Sequence, residues 1–207
     1  MNKSDESSKE SDKSKESDES SKESKINIHL VPYKNNKSSI TKYHILNLDD
    51  TLIKYNISNV YSFFGREIDN KFLKNQTQHR LNICFSKIDI DSKNSNYLEL
   101  TKIILDMENY FRLFDDFADY ELVSNIIDRK EYGIVIRFHL KTLKDKTITP
   151  LKQITSSKNE FVEWIDFDKT KKFNFSFHPD CLWIDEKNKK YGISNVIDKV
   201  VQFIEQD

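Results

Sequence analysis

The chain has 207 residues, of which 33 are basic and 34 are acidic, so its formal net charge is −1 at pH 7. This balance excludes a global field that would draw the whole molecule onto DNA or an anionic membrane, and any nucleic-acid contact must use a local basic patch. The sequence contains no apolar run near the ~18 residues that a membrane span needs and no apolar secretory segment at its start, so an intracellular protein without membrane contact is expected.

The first 25 residues have a composition of their own. They repeat Ser with Lys, Asp and Glu and contain no apolar residue after Met1. A segment with nothing to bury cannot offset the entropy of ordering, so residues 1–25 are predicted to be a disordered charged tail, which phosphorylation of its serines would make strongly acidic. Residues 26–207 are long enough for one core and are predicted to form a single domain.

Three strands are predicted before the middle of the chain. Alternating apolar and polar residues place the first over 26–31 and the third over 79–89. The second is expected over 43–54, with an interruption or bend near Asp49 and Asp50. Residues 55–78 show no regular period, which predicts a loop with at most one helical turn.

A long helix is predicted after the polar turn at 91–95. Asn96 and Glu99, three residues apart, resemble an Asx variant of the capping box. Apolar residues then recur at helical spacing, at Leu100, Ile103, Ile104, Met107, Phe111, Phe114, Phe117 and Ala118. The spacing predicts an amphipathic helix that buries one face.

The period of two returns after the helix. Residues 133–142 alternate an aliphatic face with a mostly basic one, which predicts a fourth strand. The phenylalanines at 173, 175 and 177 share one face and are assigned to the core. Residues 181–185 and 191–193 flank a polar turn and predict a hairpin. Residues 193–204 fit a helix or a strand.

Sequence strings typical of enzymes are weak. Residues 45–52 resemble the first motif of haloacid-dehalogenase-type phosphatases, but Asn47 stands at the position of the nucleophilic aspartate. Asp115, Asp116 and Asp119 match a magnesium-binding string of prenyl-transferring enzymes, which are all-helical and much longer, so a solvated acidic face is the better interpretation. We expect no enzymatic activity.

The sequence also predicts no cofactor. Cys84 and Cys181 lie in apolar stretches without metal-ligand spacing, so free buried thiols are expected. The five histidines show neither metal-ligand nor triad spacing, and the chain lacks a glycine-rich phosphate loop.

A local binding surface remains. Basic side chains lie opposite the aliphatic faces of the third and fourth predicted strands, and Trp183, with Tyr191 across the hairpin, is a candidate for base stacking. The candidate nucleic-acid-binding residues are Arg80, Arg137, His139, Lys141, Trp183 and Tyr191. In the alternative interpretation Trp183 belongs to the core and the charges are ordinary solvated residues.

The element order, three strands, a long helix and further strands, is that of an OB-fold barrel with its helix between strands 3 and 4. Residues 132–141, 181–185 and 190–193 resemble late strands of single-stranded DNA-binding proteins from phages and large nucleocytoplasmic DNA viruses, and the resemblance covers residues 79–201. It implies a β-rich α+β fold with an OB-like barrel.

The same resemblance implies a function and a setting. Single-stranded DNA would be the partner, with replication proteins as further partners, in replication, recombination or repair. The protein would then act in the host cytoplasm, in a viral factory, or in a virion. Two alternatives stay open, a viral structural or protein-interaction module without nucleic-acid binding and a degenerate phosphatase-like domain.

Overall fold

The structure is a computed structural model that describes residues 27–33, 39–73, 76–130 and 133–204, with side chains described outside residues 69–77. The predicted tail of residues 1–25 lies outside the described residues, and the single domain stays a prediction.

The described part of the chain contains five strands, two helices and then nine further strands. The first strands are β1 (Ile28–Pro32), β2 (Ile40–Asn47), β3 (Tyr55–Val60), β4 (Arg66–Leu73) and β5 (Gln76–Phe85). The helices are α1 (Lys87–Asp91) and α2 (Ser95–Arg112). The remaining strands are β6 (Glu121–Leu122), β7 (Ile126–Arg129), β8 (Gly133–Leu140), β9 (Thr142–Leu143), β10 (Lys146–Thr147), β11 (Leu151–Ile154), β12 (Asn159–Val162), β13 (Phe173–Asp185) and β14 (Lys190–Phe203). Short 3₁₀ helices cover Asp115–Phe117 and Trp164–Asp166.

Twelve of the described strands form one sheet, whose main path runs β1, β2, β13, β14, β8, β5, β4. Strand β14 pairs in parallel with β6, β8 and β11, whereas the other pairings in this sheet are antiparallel. Within the described residues the two ends of the path, β1 and β4, do not pair with each other, so the sheet is open.

The OB-like barrel predicted from the sequence is therefore wrong in two respects, although the β-rich fold with one long helix is confirmed. The sheet is not closed, and α2 lies between β5 and β6 rather than between strands 3 and 4. The second difference arises because the segment expected to be a loop, residues 55–78, forms β3 and β4 and begins β5.

The hairpin of β13 and β14 lies in the middle of the sheet. The predicted phenylalanine face is confirmed, since Phe173, Phe175 and Phe177 are all buried. The ambiguous segment 193–204 is a strand, because pairing with β13 on one side and with β8 or β11 on the other satisfies its backbone. The hairpin register shifts near Pro179, which has no N–H to donate to a ladder.

Helix α2 packs on the face of the sheet that carries the hydrophobic core. Its N-cap is Asn94, not Asn96, and the Asn94 side chain accepts hydrogen bonds from the backbone N–H groups of Asn96 at 3.0 Å and Tyr97 at 3.4 Å. Its buried residues are Leu100, Ile104, Met107, Glu108 and Phe111. The apolar residues among them join those of the sheet in one hydrophobic cluster. The helix ends at Arg112, before the last apolar positions of the predicted stripe.

Other features of the described chain bear on the sequence predictions. Cys84 and Cys181 are free and buried, as expected. None of the helices in the described ranges is long and apolar enough to cross a membrane.

Candidate nucleic-acid interface

The sheet has an outer face, defined as the side of β5 and β8 opposite the core. On these strands Leu81, Ile83, Ile136 and Phe138 are buried in the hydrophobic cluster. Because side chains alternate along a strand, the residues between them point to the other side. The resulting outer face carries Arg80 and Asn82 on β5 and Arg137 and His139 on β8.

The strand register brings the basic residues of this face together. Arg80 lies directly opposite His139, and Asn82 lies directly opposite Arg137. The two arginines are therefore diagonal neighbours on adjacent strands, within reach of one ligand. The sequence predicted that these side chains share a face, and the pairing of β5 with β8 explains why they also lie side by side.

His139 lies at the centre of this group. Burial and the nearby guanidinium groups of Arg80 and Arg137 lower the pKa of His139 to about 4. The Asp180 carboxylate acts in the opposite direction, and Lys42 adds to the lowering. His139 is closely surrounded by other protein atoms, yet part of its surface stays exposed to solvent. This combination is typical of a residue at the floor of a groove. The imidazole is neutral at pH 7, so the positive charge here comes from the surrounding cations.

Polar side chains fix the β5 part of the face. An Nη2 proton of Arg80 is donated to Oε1 of Gln78 at 2.8 Å, and Nδ2 of Asn82 donates to Oε2 of Glu67 at 2.7 Å. Glu67 lies opposite Arg80 on β4, so the basic group has an acidic border on this side. The contacts hold the arginine in a defined position rather than leaving it to sample many rotamers.

Lys141 is already engaged in an ion pair. Its Nζ lies 2.7 Å from Oδ1 of Asp198, whose Oδ2 lies 3.0 Å from Nδ1 of His178. Although burial alone would raise the pKa of Asp198, hydrogen bonds from Lys141 and His178 lower it. Asp198 thus offsets the charge of Lys141, which makes this lysine a weaker phosphate ligand than the sequence suggested.

Trp183 extends the outer face onto β13. It pairs with Gly192 on β14 and with Lys42 on β2, and its neighbour Leu182 is fully buried on the core side. The indole is partly exposed. A partly exposed indole beside a lysine can stack on a nucleobase while the ammonium group attracts a phosphate.

The position of Tyr191 differs from the sequence prediction, which made it a candidate for base stacking. It is only 2% exposed, and its ring stacks on that of Phe117 with 4.8 Å between centroids. The hairpin register pairs Tyr191 with Ile184 and pairs Gly192 with Trp183. Since neighbouring residues of a strand point to opposite faces, a difference of one residue in register moves Tyr191 into the core. Its ring is not available for stacking on a base.

Sequence reasoning missed one part of the face, formed by β1 and β2. The ring of Tyr33 stacks on His44 with 3.7 Å between centroids, and its hydroxyl donates to Oδ2 of Asp180 at 2.9 Å. Burial and Asp180 raise the pKa of Tyr33, so the phenol stays protonated. The signal was present in β2, where Lys42 and His44 alternate with the side chains that face the core.

The enzyme-like strings find no support in the geometry. Strand β2, which ends at Asn47, is antiparallel to both β1 and β13, so the parallel sheet that the phosphatase hypothesis required does not surround it. Nδ2 of Asn47 instead donates to the Thr51 hydroxyl within a local turn. Asp115 and Asp116 lie in a 3₁₀ helix beyond the end of α2, not on one face of that helix.

No protein-family model matches the chain, and no curated protein matches it. Among solved structures, the single-stranded DNA-binding protein encoded by bacteriophage T7 is similar over 74% of this chain and 87% of its own, with 8% identity and a TM-score of 0.48. The single-stranded DNA-binding protein from bacteriophage Enc34, solved in complex with single-stranded DNA, is similar over 86% of this chain and 96% of its own, with 14% identity and a TM-score of 0.45. At these identities no residue role is carried over from either protein.

Proposed function

We propose that the chain binds single-stranded DNA on the outer face of its sheet, without catalysing a reaction and without a cofactor. The observation that carries the proposal is the cross-strand group of Arg80, Arg137 and His139, in which two guanidinium groups lie beside a neutral, partly exposed imidazole. Guanidinium groups bind phosphate oxygens through paired hydrogen bonds. Neutralising the phosphates releases counterions, which supplies much of the affinity for a nucleic acid.

The partly exposed indole of Trp183 favours single strands over duplexes. A base within a duplex is already stacked on both sides, whereas an unpaired base can place its π-face on an aromatic side chain. Such stacking is sequence-tolerant and contributes roughly 1–3 kcal/mol per base. A protein of this kind would protect exposed single strands during replication, recombination or repair, and replication proteins would be its further partners.

The proposal is tested with an Arg80→Ala/Arg137→Ala variant. Fluorescence polarisation with labelled dT15, at two salt concentrations, should show weaker binding and a salt slope that is shallower by about 0.7 per lost phosphate contact. The matched control is Lys93→Ala/Lys102→Ala, which removes two exposed charges from the helical side of the molecule. Equal affinity of the parent and both variants would refute binding at this face. Oligonucleotides of mixed sequence, RNA and duplex DNA, titrated in parallel, define the preference.

A protein-interaction module is the second candidate. Leu98 and Leu105 on α2, and Leu113 at its end, are exposed although they are large and apolar. Apolar side chains that follow one another along a helix are typical of a surface that contacts another protein. Two results together would favour this function. The parent protein would bind no DNA, and it would capture a protein partner that the variants Leu98→Ala and Leu105→Ala no longer capture.

A further inference from the structure

The turn between β3 and β4 exposes aromatic rings. Phe63 and Phe64 are 52% and 47% exposed, and the ring of Phe63 is nearly parallel to that of Tyr61, with 6.0 Å between centroids and 6° between planes. Gly65, at φ +65°, allows the chain to turn back into β4. We name Tyr61, Phe63 and Phe64 the aromatic turn.

The aromatic turn borders the outer face. Tyr61 bridges to Cys84 on β5, whose backbone N–H donates to the Tyr61 carbonyl at 3.0 Å. The peptide groups of Phe63 and Phe64 lie near the Cys84 thiol and partly offset the increase in its pKa that burial causes. Cys84 lies on the same side of β5 as Arg80, four residues further along, which corresponds to about 13 Å. The turn is therefore continuous with the group of arginines.

The turn and Trp183 lie at opposite ends of the face. Trp183 is on β13 and Cys84 is on β5, and the strand β14, the segment of β6 and β7, and the strand β8 lie between them. At a strand spacing of about 4.8 Å, the path along the sheet surface covers roughly 19 Å. Arg137 and Arg80 lie to one side of this path, about 7 Å and about 13 Å along their strands from the level of Cys84.

A positive charge accompanies the aromatic turn. Nζ of Lys172, an exposed residue just before β13, lies 5.4 Å from the centroid of the Tyr61 ring. A lysine above an aromatic ring gains a cation–π contact and keeps donors for an anion. Adjacent rings and a cation form the combination that binds a base together with its phosphate.

We propose that the aromatic turn is a second base-stacking site for the strand whose phosphates contact Arg80 and Arg137. The inference rests on the proposed function and extends it, because it sets the path of the DNA from Trp183, across the arginines, to Phe63 and Phe64. Short oligonucleotides reach one stacking site, whereas longer ones reach both.

The test compares Phe63→Ala/Phe64→Ala with the parent. The variant should bind dT15 about 5- to 150-fold more weakly for each stacked base lost, with an unchanged salt slope, since stacking releases few counterions. Phe161→Ala removes a ring that is 67% exposed on β12 and is the matched control. Phe63→Leu/Phe64→Leu keeps the apolar surface without the rings, and its affinity should fall as well.

A strand of the same length with abasic sites separates stacking from structural effects. The affinity of this strand should be the same for the parent and for Phe63→Ala/Phe64→Ala. If the parent and Phe63→Ala/Phe64→Ala bind dT15 equally well and only Trp183→Ala binds it more weakly, the second stacking site is overturned. The proposed function then stays intact. A parent protein that binds no dT15 overturns both. Unchanged DNA binding with loss of self-association in sedimentation overturns the inference and assigns the turn to a protein contact.

Discussion

A Cβ atom at Gly192 would lie 2.7 Å from Cζ2 of Trp183 and 2.9 Å from both its Cε2 and the carbonyl oxygen of Val123. The indole therefore occupies the space that any other side chain at position 192 would need. Glycine at this position allows the tryptophan to rest against the backbone of β14. The orientation of the stacking candidate thus depends on a residue of the neighbouring strand.

Replacing Gly192 with alanine should displace the indole. We expect Gly192→Ala to lower the free energy of unfolding by roughly 1–3 kcal/mol, as overpacking does, and to weaken DNA binding. In the background of Trp183→Ala the same change should cost less, because the clash with the indole is gone and only that with Val123 remains. Chemical denaturation of the four proteins of this cycle measures the coupling, and strictly additive effects would contradict the assigned contact.

Phe111 anchors α2 to the sheet. It is 1% exposed and belongs to the central cluster, whereas Leu113, two residues on, is 83% exposed. Phe111→Ala should therefore cost about 3–5 kcal/mol of stability, because it leaves a cavity. Leu113→Ala is the matched control and should change stability by less than about 0.5 kcal/mol. Denaturant titration compares the two, and a Phe111→Ala variant as stable as the parent would mean that this helix face is not packed on the sheet.

Glu108 joins α2 to the segment before β7. Its carboxylate accepts hydrogen bonds from the Ser124 hydroxyl at 2.8 and 3.0 Å and from the backbone N–H of Asn125 at 2.9 Å. Burial raises the pKa of Glu108, although these hydrogen bonds act against the increase. Glu108 therefore binds a proton more readily in the folded than in the unfolded state, so its contribution to stability is present at low pH and lost as pH rises through the folded pKa.

Two substitutions of Glu108 should differ. Glu108→Gln keeps a carbonyl acceptor without the charge, so it should be tolerated at pH 7 and should remove this pH dependence. Glu108→Ala leaves the Asn125 N–H without its acceptor, which should cost about 1–3 kcal/mol. Thermal unfolding at pH 4.5 and pH 7 distinguishes them, and equal losses in the two variants would rule out the hydrogen-bonding role.

His139 should make stability depend on pH. Its pKa is about 4 in the folded protein, below the ordinary value of about 6.5. Between these values the unfolded chain binds more protons, so the free energy of unfolding should fall as pH decreases from about 6.5 to about 4. Arg80, Arg137 and Lys42 favour the neutral form, and Asp180 opposes them.

The measurement is an NMR titration of the His139 ring together with unfolding curves across this pH range. His139→Gln should flatten the dependence. DNA bound at Arg80 and Arg137 should raise the pKa of His139, because phosphates offset the guanidinium charges. An imidazole that titrates near 6.5 in the free protein would contradict the crowded, basic surroundings described for it.

The outer face could be predicted in part from the sequence because it depends on a period of two. Arg137 and His139 alternate with Ile136 and Phe138, and this alternation alone places the basic side chains opposite the core. The cross-strand contact of Arg80 with His139 could not be predicted, because it depends on the register between β5 and β8. The same limit explains the error at Tyr191, whose face depends on a hairpin register that the turn residues do not specify.

Part of the fold was missed for a different reason. The segment 55–78 lacks an alternating pattern because β3 meets β13 with a register irregularity and buries Ile57 and Val60, three residues apart. Strand β4 lies at the end of the sheet path, where polar and charged residues are common. Neither strand therefore has the alternating pattern of a half-buried strand. For this reason the sequence predicts three strands before the long helix, whereas the structure has five in the described residues.

The position of the β13–β14 hairpin in the sheet has a consequence for biosynthesis. Strands β2 and β3 both pair with β13, and β6, β8 and β11 pair in parallel with β14. During translation the earlier strands emerge first, yet the centre of their sheet is still missing until residues 173–203 leave the ribosome. Non-local pairing of this kind is slow, and the waiting strands have unpaired edges. The nascent chain is thus most exposed to aggregation immediately before the β13–β14 hairpin forms, so we expect its synthesis to depend on chaperones.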